Sequence, residues 1–372
     1  MSIWKIANPN LQKLKPYEPG KPVEDVAREL GMNPKTIIKL ASNENPLGPS
    51  PKALRAMRDA LRSGHLYPDG GGFHLRNALA ERHGLERNQV VIGNGSNEII
   101  ELILHAFASS GSGNVIASQH AFIVYKLIAQ LFGAEFIEVP ARQFEHDLDA
   151  IAAAINSNTK AVFITNSNNP TGTRVPNDRL KKFIFNVPER VIIALDEAYY
   201  EFLDDAPPTI SWMKERPNLI LIRTFSKIHG LAGLRIGYGL MQLETAEILQ
   251  RCRQPFNTNS IAQAGALAAL TDEAHQKKTL KLTFSGKKKL ERFCRKLGLE
   301  YIPSHANFVM IRVGQGEEVF QQLMREGIIV RPLRGGYHLP EWIRVTIGTR
   351  PQMKRFYETF PAVLKNLGIT AS

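Results

Sequence analysis

The sequence predicts an α/β protein, with a large domain whose mostly parallel seven-stranded sheet is flanked by helices, joined to a small α+β domain. Three observations carry this. The 372 residues exceed the roughly 100–200 usual for one domain. Between residues 89 and 239, short apolar and β-branched runs alternate with helical stretches, the pattern of parallel strands joined by crossover helices. After residue 260 the chain turns alanine-rich and then lysine-rich, as long amphipathic helices do. The expected division is 1–40 as an N-terminal arm and part of the small domain, 41–260 as the large domain, and 261–372 as the small domain.

Each element has its own signal. Residues 1–40 are rich in proline and lysine, and 40–49 reads as an ordered turn, so this stretch is a connecting arm. Strands are expected at 89–92, 114–118, 135–139, 161–165, 191–195, 219–223 and 234–239, where apolar runs have the length of strands buried on both faces. Asn257-Thr258-Asn259-Ser260 offers a helix cap before the stretch that ends at Lys296. A strand at 308–313, a helix at 317–325, strands near 328–330 and 343–347, and a last helix at 352–367 complete the small unit.

Hydrophobic residues make up 43% and charged residues 22%, ordinary globular usage that excludes a disordered chain or a coiled coil. Lysine and arginine number 47 against 35 acids, and the net charge of +12 favours an anionic partner. No nucleic acid is expected, because the lysines spread over solvated helical stretches such as 277–296, with little aromatic interleaving and no binding motif. Cys252 and Cys294 lie far apart without ligand-spaced histidines, which supports neither a disulfide framework nor a metal site and fits a reducing, cytoplasmic setting. Lys5, Asn8 and Pro9 interrupt the apolar start, and no run approaches the about 20 apolar residues that cross a bilayer, so no membrane partner is expected.

In open α/β sheets, ligands sit beyond the carboxyl ends of the strands, so the residues after each apolar run are the candidates. The first run leads into Gly93-Asn94-Gly95-Ser96-Asn97-Glu98 and puts Ser96 or Asn97 at a helix N-cap, where free N–H groups and the helix dipole face an anion. Taken alone, this segment also fits an ordinary strand-to-helix turn. The run 161–165 leads to Asn169-Pro170-Thr171-Gly172, with Asn169 held extended by the proline. The run 191–195 delivers Asp196 and then Tyr199, and a carboxylate leaving a buried strand needs a cationic partner. The run 219–223 delivers Ser226 and Lys227, with Arg235 downstream. A lysine in that place can work desolvated as an imine-forming nucleophile. Lysine, aspartate, an Asn/Tyr pair for a phenolic oxygen and a phosphate cradle are together what pyridoxal 5′-phosphate demands. His120 and His229 lie near this group and read as solvated or packing residues.

Seven segments, in order Ser42-Asn43-Glu44-Asn45-Pro46, Tyr67-Pro68-Asp69, 93–98, Asn169-Pro170-Thr171-Gly172, Asp196-Glu197-Ala198-Tyr199, Ser226-Lys227 with Arg235, and 344–349, resemble the histidinol-phosphate aminotransferases. These are a branch of the fold-type I pyridoxal-phosphate-dependent aminotransferases, and the likeness runs from Tyr17 to Arg350. The resemblance implies that Lys227 bears the coenzyme as an imine and later acts as the general base. It implies that Asp196 holds the pyridinium and that Asn169 and Tyr199 hold the ring hydroxyl, with Phe122 stacking on the ring. It assigns the phosphate to Gly95, Ser96, Asn97, Ser226 and Arg235, and to Tyr67 reaching in from the other subunit of a homodimer. Asn97 stands where related enzymes often carry an acid. Tyr17, Asn45, Arg331 and Arg344 are implied to bind the substrates, histidinol phosphate in one half-reaction and glutamate or 2-oxoglutarate in the other. An aromatic amino acid aminotransferase is the nearest rival, with a phosphothreonine decarboxylase and a nucleic-acid-binding protein behind it.

Overall fold

The computed structural model describes residues 2–14, 20–109, 111 and 113–369. Its strands are β1 (Ile38–Lys39), β2 (Val90–Asn94), β3 (Asn114–Ser118), β4 (Glu135–Val139), β5 (Thr159–Thr165), β6 (Ile192–Asp196), β7 (Leu219–Thr224), β8 (Ile236–Leu240), β9 (Tyr301–Ile302), β10 (Phe308–Arg312), β11 (Ile328–Ile329), β12 (Arg331–Leu333) and β13 (Leu339–Thr346). Seven of them form one sheet in the order β2-β8-β7-β6-β5-β3-β4. β8 runs antiparallel to both its neighbours, and every other pair in the sheet is parallel. Each of the seven expected runs lies within two residues of one of these strands. They are legible because parallel strands covered on both faces need apolar side chains at every position, as the fully buried β3, β6 and β7 illustrate.

Two apolar layers cover the sheet. On one side Val162, Ile164, Ile193, Leu195, Leu219 and Leu221 pack with helices that include Phe73–His83, Asn177–Asn186 and Ser260–Leu270. On the other, Val115, Ala161, Phe163, Ala194 and Ile220 meet the helix Ser96–Ala108 through Ile99, Ile100 and Ile103. A separate cluster joins Val26, Ile37 and Leu40 of the arm to Val309, Ile311, Val345, Phe356 and Phe360. It lies between the antiparallel sheet β12-β13-β10-β9 and the helices Glu273–Lys296, Gly316–Arg325 and Arg350–Asn366. The helix Ser260–Leu270, placed by the sequence reading at the start of the small domain, sits in the large cluster through Ala262, Ala266 and Ala269. Its cap is the expected one, for Asn259 Oδ1 accepts from the Ala262 N–H at 2.7 Å.

The arm is tied down by backbone pairing. β1 pairs in parallel with β11, setting Ile38 opposite Ile328 and Lys39 opposite Ile329. The Leu40 amide then donates to the Ile329 carbonyl, and the Thr346 amide donates to the Leu40 carbonyl. Residues 41–45 are thereby held over the carboxyl ends of β5, β6 and β7.

Candidate active site

The strands bring most of the expected residues to one cavity of about 370 Å³. Lys227 enters from the turn after β7, Asp196 from the last position of β6, and Asn169 from the turn after β5. Of the other expected residues, Ser96, Asn97, Phe122, Tyr199, Ser226 and Arg235 are at its wall and Gly95 lies just behind it, next to Ser96; Ser42, Glu44, Thr165 and Thr224 also line the cavity.

Asp196 is 3% exposed, and burial lifts its carboxyl to about 6. Hydrogen bonds act against that rise. The Tyr125 hydroxyl donates to Oδ2 at 2.7 Å, and the Ala198 N–H donates to Oδ1 at 3.0 Å. Tyr125 is fully buried, and its oxygen in turn accepts from the Thr165 hydroxyl at 2.8 Å. Burial also acts on Lys227, whose amine is lowered to about 8, with repulsion from Arg344 and Arg235 adding to the effect. Glu44 and Asp196 pull the other way. Lys227 Nζ lies 3.5 Å from the Ser42 carbonyl oxygen and 5.8 Å from the centre of the Tyr199 ring. Burial raises the Tyr199 phenol above its ordinary value, and its oxygen accepts from Asn43 Nδ2 at 2.8 Å.

Part of the lining is built from groups that could hold an anion. The expected cap moves by one residue: Gly95, not Ser96 or Asn97, is the N-cap, and the helix begins at Ser96. Gly95 has φ of +78°, a conformation that costs glycine nothing. A Cβ there would stand 2.4 Å from Nη2 of Arg235, so glycine lets the guanidinium lie against the helix start. The free N–H groups of that first turn, the Ser226 side chain and Arg235 then share one wall.

Four expected residues differ in placement. Arg344 is 5% exposed and sits inside β13, donating to Asn169 Oδ1 and to the Ala41 carbonyl. Arg331 opens β12 directly across from Arg344 in the sheet register, though it is not part of the cavity wall. Asn45 is not at the wall either. Its amide nitrogen donates to the Ile228 carbonyl at 2.9 Å and to Thr279 Oγ1 at 3.1 Å, fastening the arm to the turn that carries Lys227. Tyr67 is 83% exposed and stacks on Phe256, 4.8 Å between ring centres, and is not part of the cavity wall. Tyr17 lies outside the described residues. His229 is buried against Phe225, and His120 donates through Nδ1 to the Tyr337 carbonyl, so both serve packing.

Sequence reasoning missed Tyr125 and the role of Asn43. Tyr125 lies within the apolar helix Val124–Leu131, where nothing distinguishes it from a core aromatic. Asn43 carried a signal, since it belongs to the first quoted motif, and its φ of +54° places it among the few residue types that tolerate that region.

The sequence profile of class I and II aminotransferases matches residues 35–360. The chain belongs to this family. Among relatives of this aminotransferase, the histidinol-phosphate aminotransferase of Akkermansia muciniphila is 48% identical over 365 residues, covering 98% of this chain and 100% of that one. The histidinol-phosphate aminotransferase 2 of Pseudomonas fluorescens (strain Pf0-1) is 50% identical over 362 residues, 96% of this chain and 97% of that one. The crystal structure of the Sinorhizobium meliloti histidinol-phosphate aminotransferase in complex with pyridoxal-5′-phosphate superposes with a TM-score of 0.88 at 28% identity, covering 97% and 98% of the two chains. Among the described residues of this aminotransferase, no helix is long and apolar enough to cross a membrane.

Proposed function

We propose that this aminotransferase transfers the amino group of L-histidinol phosphate to 2-oxoglutarate, giving imidazole-acetol phosphate and glutamate, with pyridoxal 5′-phosphate as coenzyme. The observation that carries the reading is the meeting of a lowered lysine, a buried aspartate and an anion cradle in one cavity, in a chain about half identical over its full length to enzymes of that name.

The residues fit the coenzyme. The Gly95 cradle, the first turn after it and Arg235 suit a phosphate, Asp196 suits a protonated ring nitrogen, and Lys227 suits an aldehyde carbon. When bound, the coenzyme supplies that aldehyde and an electron-accepting ring. Lys227, with its amine lowered to about 8, has a large neutral fraction near physiological pH. It can add to a carbonyl carbon, take the proton from the amine-bearing carbon of the substrate, and return it to a neighbouring carbon. The Asp196 carboxylate, kept ionisable by Tyr125 and Ala198, stabilises positive charge at the buried end of the cavity. Tyr199 and Asn169 offer a hydroxyl and an amide to a phenolic oxygen. Histidinol phosphate carries no α-carboxylate, so its phosphate takes the Arg344 side of the site, with Arg331 on the adjacent strand, and the same planar fork accepts glutamate's carboxylate.

The reading includes a homodimer in which the partner's Tyr67 completes the phosphate site. Its support is the stacked pair Tyr67 and Phe256, both exposed in the single chain, with Leu61 and Leu66 also exposed just before Tyr67 in the sequence. A cytoplasmic setting agrees with Cys252 and Cys294 both being free thiols.

Steady-state rates with histidinol phosphate and with phenylalanine, each with 2-oxoglutarate, test the substrate. Preference for phenylalanine would assign an aromatic amino acid aminotransferase instead. Lys227→Ala is expected to abolish turnover together with the visible absorbance of the loaded enzyme, and retention of both would remove the lysine from the mechanism.

A further inference from the structure

We propose that the groove between the helices Glu273–Lys296 and Arg350–Asn366 is a binding site for a small amphiphilic anion, an apolar body ending in a carboxylate or phosphate. The groove holds about 850 Å³, more than twice the volume of the cavity around Lys227, and shares no residue with it. Its floor is apolar, built from Leu282, Gly286, Met353 and the ring of Tyr357. Gly286 sets its depth. A Cβ there would stand 2.3 Å from Cγ2 of Ile347, so only glycine lets the helix sit this low on the residue that follows β13.

The rim has one sign. Lys278, Lys281 and Lys289 project from one helix and Arg350 and Lys354 from the other, against a single acid, Glu358, which pairs with Lys354 at 3.7 Å. The other four cations form no ion pair among the described residues. Lys278 and Lys281 are three apart and Arg350 and Lys354 four apart on their helices, spacings at which like charges repel. Such a cleft concentrates positive potential over a low-dielectric floor, which is complementary to an anion with an apolar body.

The test uses the coenzyme-loaded enzyme and the fluorescent probe anilinonaphthalene sulfonate, an apolar sulfonate. Saturable binding is expected, weakened by salt and about tenfold weaker in the double variant Lys281→Glu with Lys289→Glu. Both lysines are exposed, so the variant is expected to keep its fold and its transamination rate. Decanoate should displace the probe, while decanol and inorganic phosphate, each lacking one half of the chemistry, should not. The probe should also stay bound when histidinol phosphate saturates the cavity. Absence of saturable binding, a double variant that binds as the parent does, displacement by decanol equal to that by decanoate, or displacement by the substrate would each overturn the proposal.

Discussion

At the scale of single residues, the cavity works by setting two groups against their ordinary ionisation. Burial lowers the Lys227 amine to about 8, and Arg344 repels its protonated form. A lysine lowered in this way becomes neutral as pH rises through 8, so capture of added coenzyme by the unloaded protein should accelerate across that range. Arg344→Gln removes a repelling cation, and the midpoint of that acceleration should move upward in a stopped-flow pH series. Asp196 is raised to about 6, and its Tyr125 partner opposes a further rise. In Tyr125→Phe the ring is kept and one hydrogen bond to a charged group is lost, worth roughly 1.5–3 kcal/mol. Coenzyme affinity should fall roughly two- to fifteen-fold at neutral pH, as the carboxyl moves up by about one to two pH units, and recover as pH rises and the carboxyl ionises. An equilibrium dialysis series that shows a loss independent of pH would assign Tyr125 to packing alone. Lys227, Asp196, Asn169 and Tyr199 could be read from the sequence because strand ends advertise them. Tyr125 could not, since a buried phenol inside an apolar helix looks like any core aromatic until its partner in β6 is known.

At the scale of elements, the junction between β2 and the helix Ser96–Ala108 is the part of the cradle most exposed to change. Gly95→Ala forces a Cβ into Arg235 at a positive φ, a strain of about 1–3 kcal/mol. Coenzyme binding by calorimetry should weaken about tenfold, with little change in the helix content seen by circular dichroism. The long buried strands were legible, since each reads as an apolar run whatever its neighbours. Of the two- and three-residue strands, β11 was expected as the apolar run 328–330, whereas β1, β9 and β12 were not. Segments so short have no periodicity of their own and exist only through their partners: β1 through β11, β9 through β10, β12 through β13. The same absence hid the docking of Asn45, whose role depends on the distant Ile228 carbonyl and on Thr279.

At the scale of the whole molecule, buried titratable groups set the response to acid. Burial lowers His83 and His229 to about 3 and His146 to about 4, so the folded chain keeps them neutral while the unfolded chain protonates near 6.5. Below pH 6.5 the unfolded state therefore binds more protons, and stability falls with pH until the folded values are reached, by roughly 1.4 kcal/mol per histidine per pH unit. Asp196 acts in the opposite sense, losing stability as pH rises from its unfolded 3.8 toward about 6. Glu201, also raised by burial, acts with Asp196, while His120 and His305, lowered by burial, act with the three histidines; the histidines outnumber the carboxyls, so the urea midpoint should drop between pH 6.5 and 4, and His229→Gln should flatten that slope. The pairing of β1 with β11 has a further consequence, for the order in which a ribosome delivers the chain. Ile38 is made well before its partner Ile328, and the whole large sheet lies between them in the chain. The strands of the large sheet, which end at Leu240, precede the segments that anchor the arm, β11 and the Thr346 hydroxyl that accepts from the Asn43 amide. A chain cut off before β11 would carry every strand of the large sheet and Lys227 yet lack the strand that holds the arm, so the order of synthesis delays a complete cavity until β11 has been made.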